Sequence, residues 1–216
     1  MARRNDPTAM IVQQAITMAL RQRRNRGVWV AVALVLLVGT MLWSHYRTQP
    51  DPSQWDGRTA TVQRVVDGDT IVVDVPGGHE TVRLIGVDAP EIAHKGAVGS
   101  PIDSYFGPEA KRYLTDALAG RTITLKFDGT EKRDRYQRLL GYVYLNDTDC
   151  VNVMLVRDGY AYVDRRFKNM LQATLDQSET QARTRGVGLW KNVKPEQMPV
   201  WRQKWLAKKT VSADDD

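Results

Sequence analysis

Two acidic clusters bracket an alternating apolar stretch between Asp67 and Glu91, and no other part of the 216-residue chain limits its fold and chemistry as strongly. Asp67-Gly68-Asp69-Thr70 opens the stretch. Ile71, Val72, Val73 and Val75 lead into Pro76-Gly77-Gly78, and Val82, Leu84, Ile85 and Val87 precede Asp88-Ala89-Pro90-Glu91. Short apolar runs on either side of such a turn predict a β-hairpin. Pairing sets the start of the first strand beside the end of the second, so Asp69 and Asp88 should converge at one rim. Two carboxylates brought together repel unless a cation lies between them. Arg83 has apolar neighbours on both sides, and a fixed guanidinium fork in a half-buried strand suits a phosphate held through two hydrogen bonds. Pro90 stiffens the strand exit and aims Glu91.

The remaining pattern surrounds this hairpin with further strands and helices. Thr59–Val66 reads as a first strand with Ala60, Val62 and Val65 inward. Residues 92–107, with Gly96, Gly99, Pro101 and Gly107, read as a long loop. Pro108 suits the first turn of a helix that ends at Gly120, with Tyr113, Leu114, Ala117 and Leu118 on its apolar face. Arg121–Phe127 and Leu139–Leu145 alternate as strands. A short helix is expected over Val151–Arg157, capped by Asp149 and ended by Gly159. Another is expected over Leu171–Arg185, and a last one over Pro195–Lys209 with Val200, Trp201, Trp205 and Leu206 available for packing. Five strands with a helix inserted among them suggest a small Greek-key barrel.

Charge and hydropathy divide the chain. The net charge of +6 lies entirely in residues 1–50, which hold seven Arg and one Asp, whereas residues 51–216 are balanced. Bulk charge therefore says nothing about nucleic acid, and any phosphate affinity must be local. From Gly27 to Trp43 there are 17 residues without a charge, preceded by Arg21-Gln22-Arg23-Arg24-Asn25-Arg26 and flanked by Trp29, Trp43 and Tyr46. This reads as a membrane-spanning signal anchor with its Arg-rich end in the cytoplasm. A cleaved signal peptide and a buried core helix are the rival readings; the long charged leader and the absence of a small-x-small site after the apolar run count against cleavage. The expected organisation is a basic cytoplasmic segment (1–26), a transmembrane helix (27–46), a linker (47–57), a domain (58–191), and a C-terminal helix with an acidic tail (192–216). The domain would then be extracytoplasmic, periplasmic or extracellular. The single cysteine, Cys150, excludes an internal disulfide and offers no zinc pattern; it reads as a small buried hydrophobe.

Gly107-Pro108-Glu109-Ala110, Asp134-Arg135-Tyr136-Gln137-Arg138, Val151-Asn152 and Gly188-Leu189-Trp190 follow the hairpin motifs in order. Over residues 58–191 the pattern resembles the staphylococcal nuclease (thermonuclease) family. The resemblance implies an SNase-like α+β fold, a five-stranded OB-fold β-barrel with about three packed helices, here preceded by the transmembrane helix. It implies a calcium-dependent endonuclease acting on DNA and RNA with little sequence preference and leaving 3′-phosphate ends. By the same resemblance Asp69, Asp88 and the Ala89 backbone carbonyl hold Ca²⁺, with Asp67 behind them. Glu91 is the general base or water-orienting group. Arg83 and Arg138 stabilise charge on the phosphoryl oxygens, Tyr136 contacts phosphate, and the nucleotide-stacking positions fall near Arg165 and Phe167.

Several positions depart from the family pattern. Ala89 stands where its best-known member has Thr, Gln137 where Gly is frequent, and Arg165 where an aromatic is expected. The loop after Glu91 is longer, and its His94 reads as solvated. The main alternative is a non-catalytic nucleic-acid-binding module on the same barrel, which should lack one or more of Asp69, Arg83, Asp88, Glu91 and Arg138; all five are present. A further alternative is a membrane-anchored scaffold whose Trp-rich C-terminal helix binds a protein partner.

Overall fold

The computed structural model describes residues 13–14, 30–42, 51–93, 104–129 and 132–213, the last five of these by backbone only. The chain divides into two compact units, Met1–Asp51 and Pro52–Asp216. In the first, residues 30–42 are helical and their apolar side chains are exposed. The expected transmembrane helix over 27–46 lies partly outside the described residues, and among the described residues no helix is long and apolar enough to cross a membrane. The basic segment 1–26 lies outside them apart from Gln13 and Gln14, as does His94.

The second unit holds strands β1 (Thr59–Asp67), β2 (Thr70–Val75), β3 (Gly78–Leu84), β4 (Val87–Asp88), β5 (Thr122–Phe127), β6 (Leu139–Tyr144) and β7 (Tyr162–Val163). Its helices are α1 (Gly107–Leu118), α2 (Val151–Arg157), α3 (Gln172–Arg185) and α4 (Val200–Ala213). Strands β1-β2-β3-β6-β5 form a closed barrel, and β4 pairs with β7 in a separate two-stranded sheet. All barrel pairings are antiparallel except β3 with β6. This is an OB-like α+β architecture, and closure leaves the five-stranded sheet without an open edge.

The sequence pattern sets the register. In β1, Ala60, Val62 and Val65 are buried as expected, and the odd spacing between the last two is absorbed by an irregularity between Val62 and Arg64. Across from them, Ile71, Val73, Val82, Leu84, Ile123, Leu125, Leu139 and Val143 fill the interior, each no more than 1% exposed. Burying such a side chain contributes roughly 1.5–3 kcal/mol. Helix α1 packs chiefly against β1 and buries Ala110, Leu114 and Leu118.

Two details differ from the expectation, and the place of the C-terminal helix, which the sequence left open, is resolved. The start of the unit takes in part of the expected linker: Pro52–Trp55 is a 3₁₀ turn, Trp55 is buried, and Asp56 accepts a hydrogen bond from the Phe127 amide. Asp149 does not cap α2; Cys150 holds the cap position without a side-chain bond, and Asp149 takes the Asn146 amide instead. The C-terminal helix is docked within the domain, because Arg202 is completely buried. Cys150 is itself buried, and burial pushes its thiol pKa up, in keeping with an unreactive hydrophobe.

Candidate active site

The hairpin delivers its acids to one place. In the ladder Thr70 pairs with Arg83, so Asp69, one residue before Thr70, lies beside the end of β3. There the strand does not run on to Asp88; it turns at Ile85-Gly86, with Gly86 at φ +78°, and resumes as β4. Asn152 fixes that turn by donating to the carbonyl of Ile85 at 2.9 Å while accepting from the amide of Val143. The buried Val151-Asn152 motif thus ties the acidic rim to β6.

At the rim, Arg83 lies between the two carboxylates. It approaches Asp69 Oδ2 at 2.6 Å through one terminal nitrogen and Asp88 Oδ1 at 3.2 Å through the other. The cation demanded by the sequence argument is therefore supplied, in the protein alone, by this guanidinium. Asp69 also accepts from the Ala89 amide (2.9 Å) and the Thr70 hydroxyl (3.1 Å), while its own amide donates to Asp67 Oδ1. Gly68 is required here because a Cβ would lie 2.6 Å from that of Ala89 and 2.9 Å from that of Ala110. The hairpin, the Ala89 turn and α1 can approach only over a bare backbone.

The electrostatics are one-sided. Burial pushes the Asp69 carboxyl well above the usual carboxylate range; Arg83 opposes this, and the charges of Asp67 and Asp88 add to it. Burial works against the Arg83 cation as well, but Asp69 and then Asp88 more than offset it, so its pKa lies above the ordinary arginine value.

Asp67, Asp69, Arg83, Asp88 and Ala89 are thus brought together. Glu91 follows on the exposed chain after Pro90, and its carbonyl accepts from the Ser104 amide. Gly107 lets α1 close on that point, since a Cβ there would lie 2.5 Å from the Glu91 carbonyl oxygen. Arg138 and Tyr136 sit on the loop leading into β6, whose Leu140 pairs with Arg83. Asp134 organises this loop, accepting from the amides of Tyr136 and Arg138 and from Arg138 Nε at 2.7 Å. Between them Gln137 adopts a left-handed φ of +64°, which accounts for glycine at this place in related patterns. The Tyr136 ring is exposed and lies beneath the guanidinium groups of Arg135 and Arg138.

The expected stacking pair separates. Phe167 is 67% exposed and available to a base. Arg165 is turned inward instead, bonded to Glu179 (2.9 Å) and Asp176 through its two terminal nitrogens and stacked on Trp205, so its guanidinium faces partners within the protein. Its neighbour Arg166, passed over in the sequence, is the one that meets the site: it donates to Asp88 Oδ1 at 3.0 Å and is gripped by Asp164. Trp201 of α4 also went unassigned, although its indole N–H donates to Asp88 Oδ2 at 2.8 Å. The only sequence signal for either was position, Arg166 beside Phe167 and Trp201 in a Trp-rich segment.

Oxygen donors of this kind suit a hard cation such as calcium. Asp69 and Asp88 converge closely enough to share one guanidinium, and acids outnumber the cation between them. Among the described residues no group of three or more His, Cys, Asp or Glu side chains is arranged to hold a metal.

Comparison with known proteins agrees with this geometry. The family model described as staphylococcal nuclease homologue matches residues 81–192, ending before α4 begins. The thermonuclease of Staphylococcus intermedius is 31% identical over 162 residues, covering 74% of this chain and 93% of that protein. The thermonuclease of Staphylococcus hyicus is 34% identical over 164 residues, 76% of this chain and 94% of its own length. The micrococcal nuclease of Shigella flexneri is 30% identical over 183 residues, 81% and 90% of the two chains.

Proposed function

The chain belongs to the staphylococcal nuclease family and is a nuclease, and from that premise we propose that it is a calcium-dependent endonuclease cutting DNA and RNA with little sequence preference and leaving 3′-phosphate ends. The observation that carries this reading is the convergence of Asp69 and Asp88 on Arg83 at the barrel rim. Asp69, Asp88 and the carbonyl of Ala89 would hold the calcium, with Asp67 as a nearby acid bonded to the Asp69 amide. When bound, calcium supplies Lewis-acid stabilisation of phosphoryl charge and orients the attacking water.

The chain's own groups perform the rest. Arg83, already half-buried and fully protonated, exchanges carboxylate oxygens for phosphate oxygens of the same hydrogen-bonding geometry. Arg138 is held through Nε by Asp134, which leaves its terminal nitrogens as donors to the phosphate. Tyr136 and Phe167, both exposed, contact the nucleotide. Glu91 accepts a proton from the attacking water as its oxygen bonds to phosphorus. The bond from phosphorus to the 5′ oxygen breaks, and that oxygen takes a proton from solvent. Charge gathered on the equatorial oxygens is met by two preorganised guanidinium groups.

A sparse shell of two carboxylates, one carbonyl and waters should bind calcium with a dissociation constant of about 10⁻⁴ to 10⁻³ M, as extracellular calcium modules do. The test is cleavage of plasmid DNA and of RNA by the full-length protein across a calcium titration, with chelator and magnesium arms and analysis of the product ends. Activity should rise in that concentration range and be poor in magnesium, which demands tight octahedral geometry. Full activity at micromolar calcium, or equal activity in magnesium alone, overturns the metal assignment.

We further propose that the N-terminal segment tethers the nuclease to a membrane with its domain outside the cytoplasm. Two features support this: the Arg cluster before an uncharged run, and the exposed apolar surface of helical residues 30–42. Such placement puts a weak calcium site where the metal is abundant and keeps the enzyme idle beside the cell's own DNA. Full-length protein should fractionate with membranes, and protease added to intact spheroplasts should digest the domain; protection of the domain inverts the topology.

A further inference from the structure

The C-terminal helix α4 reaches the acidic rim, and it does so outside the 81–192 span of the family match. Trp201 Nε1 donates to Asp88 Oδ2 at 2.8 Å, joining two residues 113 apart in sequence. The face of the same indole carries the Arg166 guanidinium, 4.9 Å from the ring centre, and Arg166 bonds the other Asp88 oxygen. Asp164 holds Arg166 through Nε and a terminal nitrogen, each at 2.8 Å. Asp88 is therefore gripped from both sides by a stacked indole and guanidinium, in addition to its contact with Arg83.

The helix that supplies Trp201 is itself fixed rigidly. The next residue, Arg202, is fully buried and bonds both oxygens of Glu179 at 2.9 and 3.0 Å. Its guanidinium lies over Tyr162 and Trp190, at 4.9 and 5.0 Å from their ring centres. Tyr162 in turn pairs with Asp88 in the β4–β7 ladder. The position of the indole is thus set by the same packing that sets the backbone of Asp88.

We infer that Trp201 is a positioning residue for Asp88, so that α4 belongs to the calcium site rather than merely following it. An ionised carboxylate offers about four lone-pair sites. Arg83 and Arg166 take two on Oδ1, Trp201 takes one on Oδ2, and one remains on Oδ2 for a cation. The indole and the metal need not compete; the indole holds the oxygen that the metal uses. Outer partners of this kind typically alter metal affinity by roughly 10–100-fold when removed.

The inference rests on the calcium reading above, and the experiment separates the two. Calcium binding to the full-length protein is measured by titration calorimetry without nucleic acid for wild type, Trp201→Phe and Trp205→Phe. Phe keeps an aromatic ring for Arg166 while removing the N–H donor with part of the ring, so Trp201→Phe should weaken calcium binding about tenfold or more, while Trp205→Phe, the same loss of ring and donor on the same helix, should match wild type. Absence of calcium binding by the wild type overturns both readings. Binding by wild type with an unchanged affinity in Trp201→Phe overturns the positioning role alone, and tighter binding overturns it by making the indole a competitor. The unmutated protein gives an independent test, whatever the stability of the variant: calcium should shift the indole N–H resonance of Trp201 in a nitrogen-proton spectrum more than that of Trp205. Equal or absent shifts overturn the inference.

Discussion

Arg83 and Arg202 are both drawn towards the interior by carboxylates, yet the charge around them is balanced in opposite ways. Arg202 is completely buried and shares Glu179 with Arg165, so a single buried acid is met by two guanidinium groups. Burial alone would raise the Glu179 carboxyl, but Arg202, the Val163 amide and Arg165 together hold it below the usual range. Arg83 keeps 14% of its side chain exposed and faces Asp69 and Asp88, with Asp67 behind them and Arg166 on the far side of Asp88; there burial first, and then the charges of Asp67 and Asp88, push the Asp69 carboxyl up against the pull of Arg83. One cluster is closed and its acid satisfied; the other carries surplus negative charge at an accessible rim. The same pair of residue types makes a clamp in the first case and a cation and phosphate site in the second, and the ratio of acids to bases decides which.

Breaking each cluster should give opposite phenotypes. Arg202→Met leaves Glu179 buried with only part of its compensation, and removing one partner of a buried pair costs about 3–5 kcal/mol. Chemical denaturation should show that loss, together with detachment of α4. Arg83→Lys keeps a counter-ion beside Asp69 and should melt close to wild type. Its turnover should nonetheless fall by roughly 10²–10³, because a point charge replaces a planar fork on the transition-state oxygens. A stable Arg202→Met protein, or a fully active Arg83→Lys protein, would erase the distinction between clamp and site.

How far each region was legible in the sequence follows from the range of its contacts. The acidic rim rests on a hairpin, where alternation and a Pro-Gly turn dictate register locally, so the convergence of Asp69 and Asp88 could be read directly, whereas Arg83 was legible as a phosphate contact and not as the bridge between them. The break at Gly86 could not, because it depends on Asn152 reaching across from α2. Arg165 misled for a related reason: its partners Glu179 and Asp176 lie on α3, and nothing near Arg165 in the chain announces them. Arg166 and Trp201 were hidden in the same way, since their roles arise only when β7 and α4 are folded against β4. The period-two pattern holds in β3 and β5, whereas β1 carries an irregularity and β2 and β6 also bury Val72 and Tyr142 between their inward positions, covered by elements outside the barrel.

The smallest expected effect is on acid stability, where the two clusters pull in opposite directions. Glu179 has a folded pKa below its ordinary value of 4.5, so its contribution to stability is fully present above that value and is lost as pH falls through the lower folded value. Asp69 has a raised folded pKa, so on acidification it takes up its proton more readily in the folded state than in the unfolded one and partly masks that loss. The wild-type curve alone therefore mixes two signs. In Glu179→Gln the residue no longer titrates, while Asp69 is untouched. With chelator present throughout, the gap in unfolding free energy between wild type and Glu179→Gln should be widest near neutrality and narrow as pH drops below 4.5. A gap that stays constant across that range would mean that Glu179 gains nothing from its charge in the folded protein, and the clamp would then owe its strength to packing around Arg202 instead.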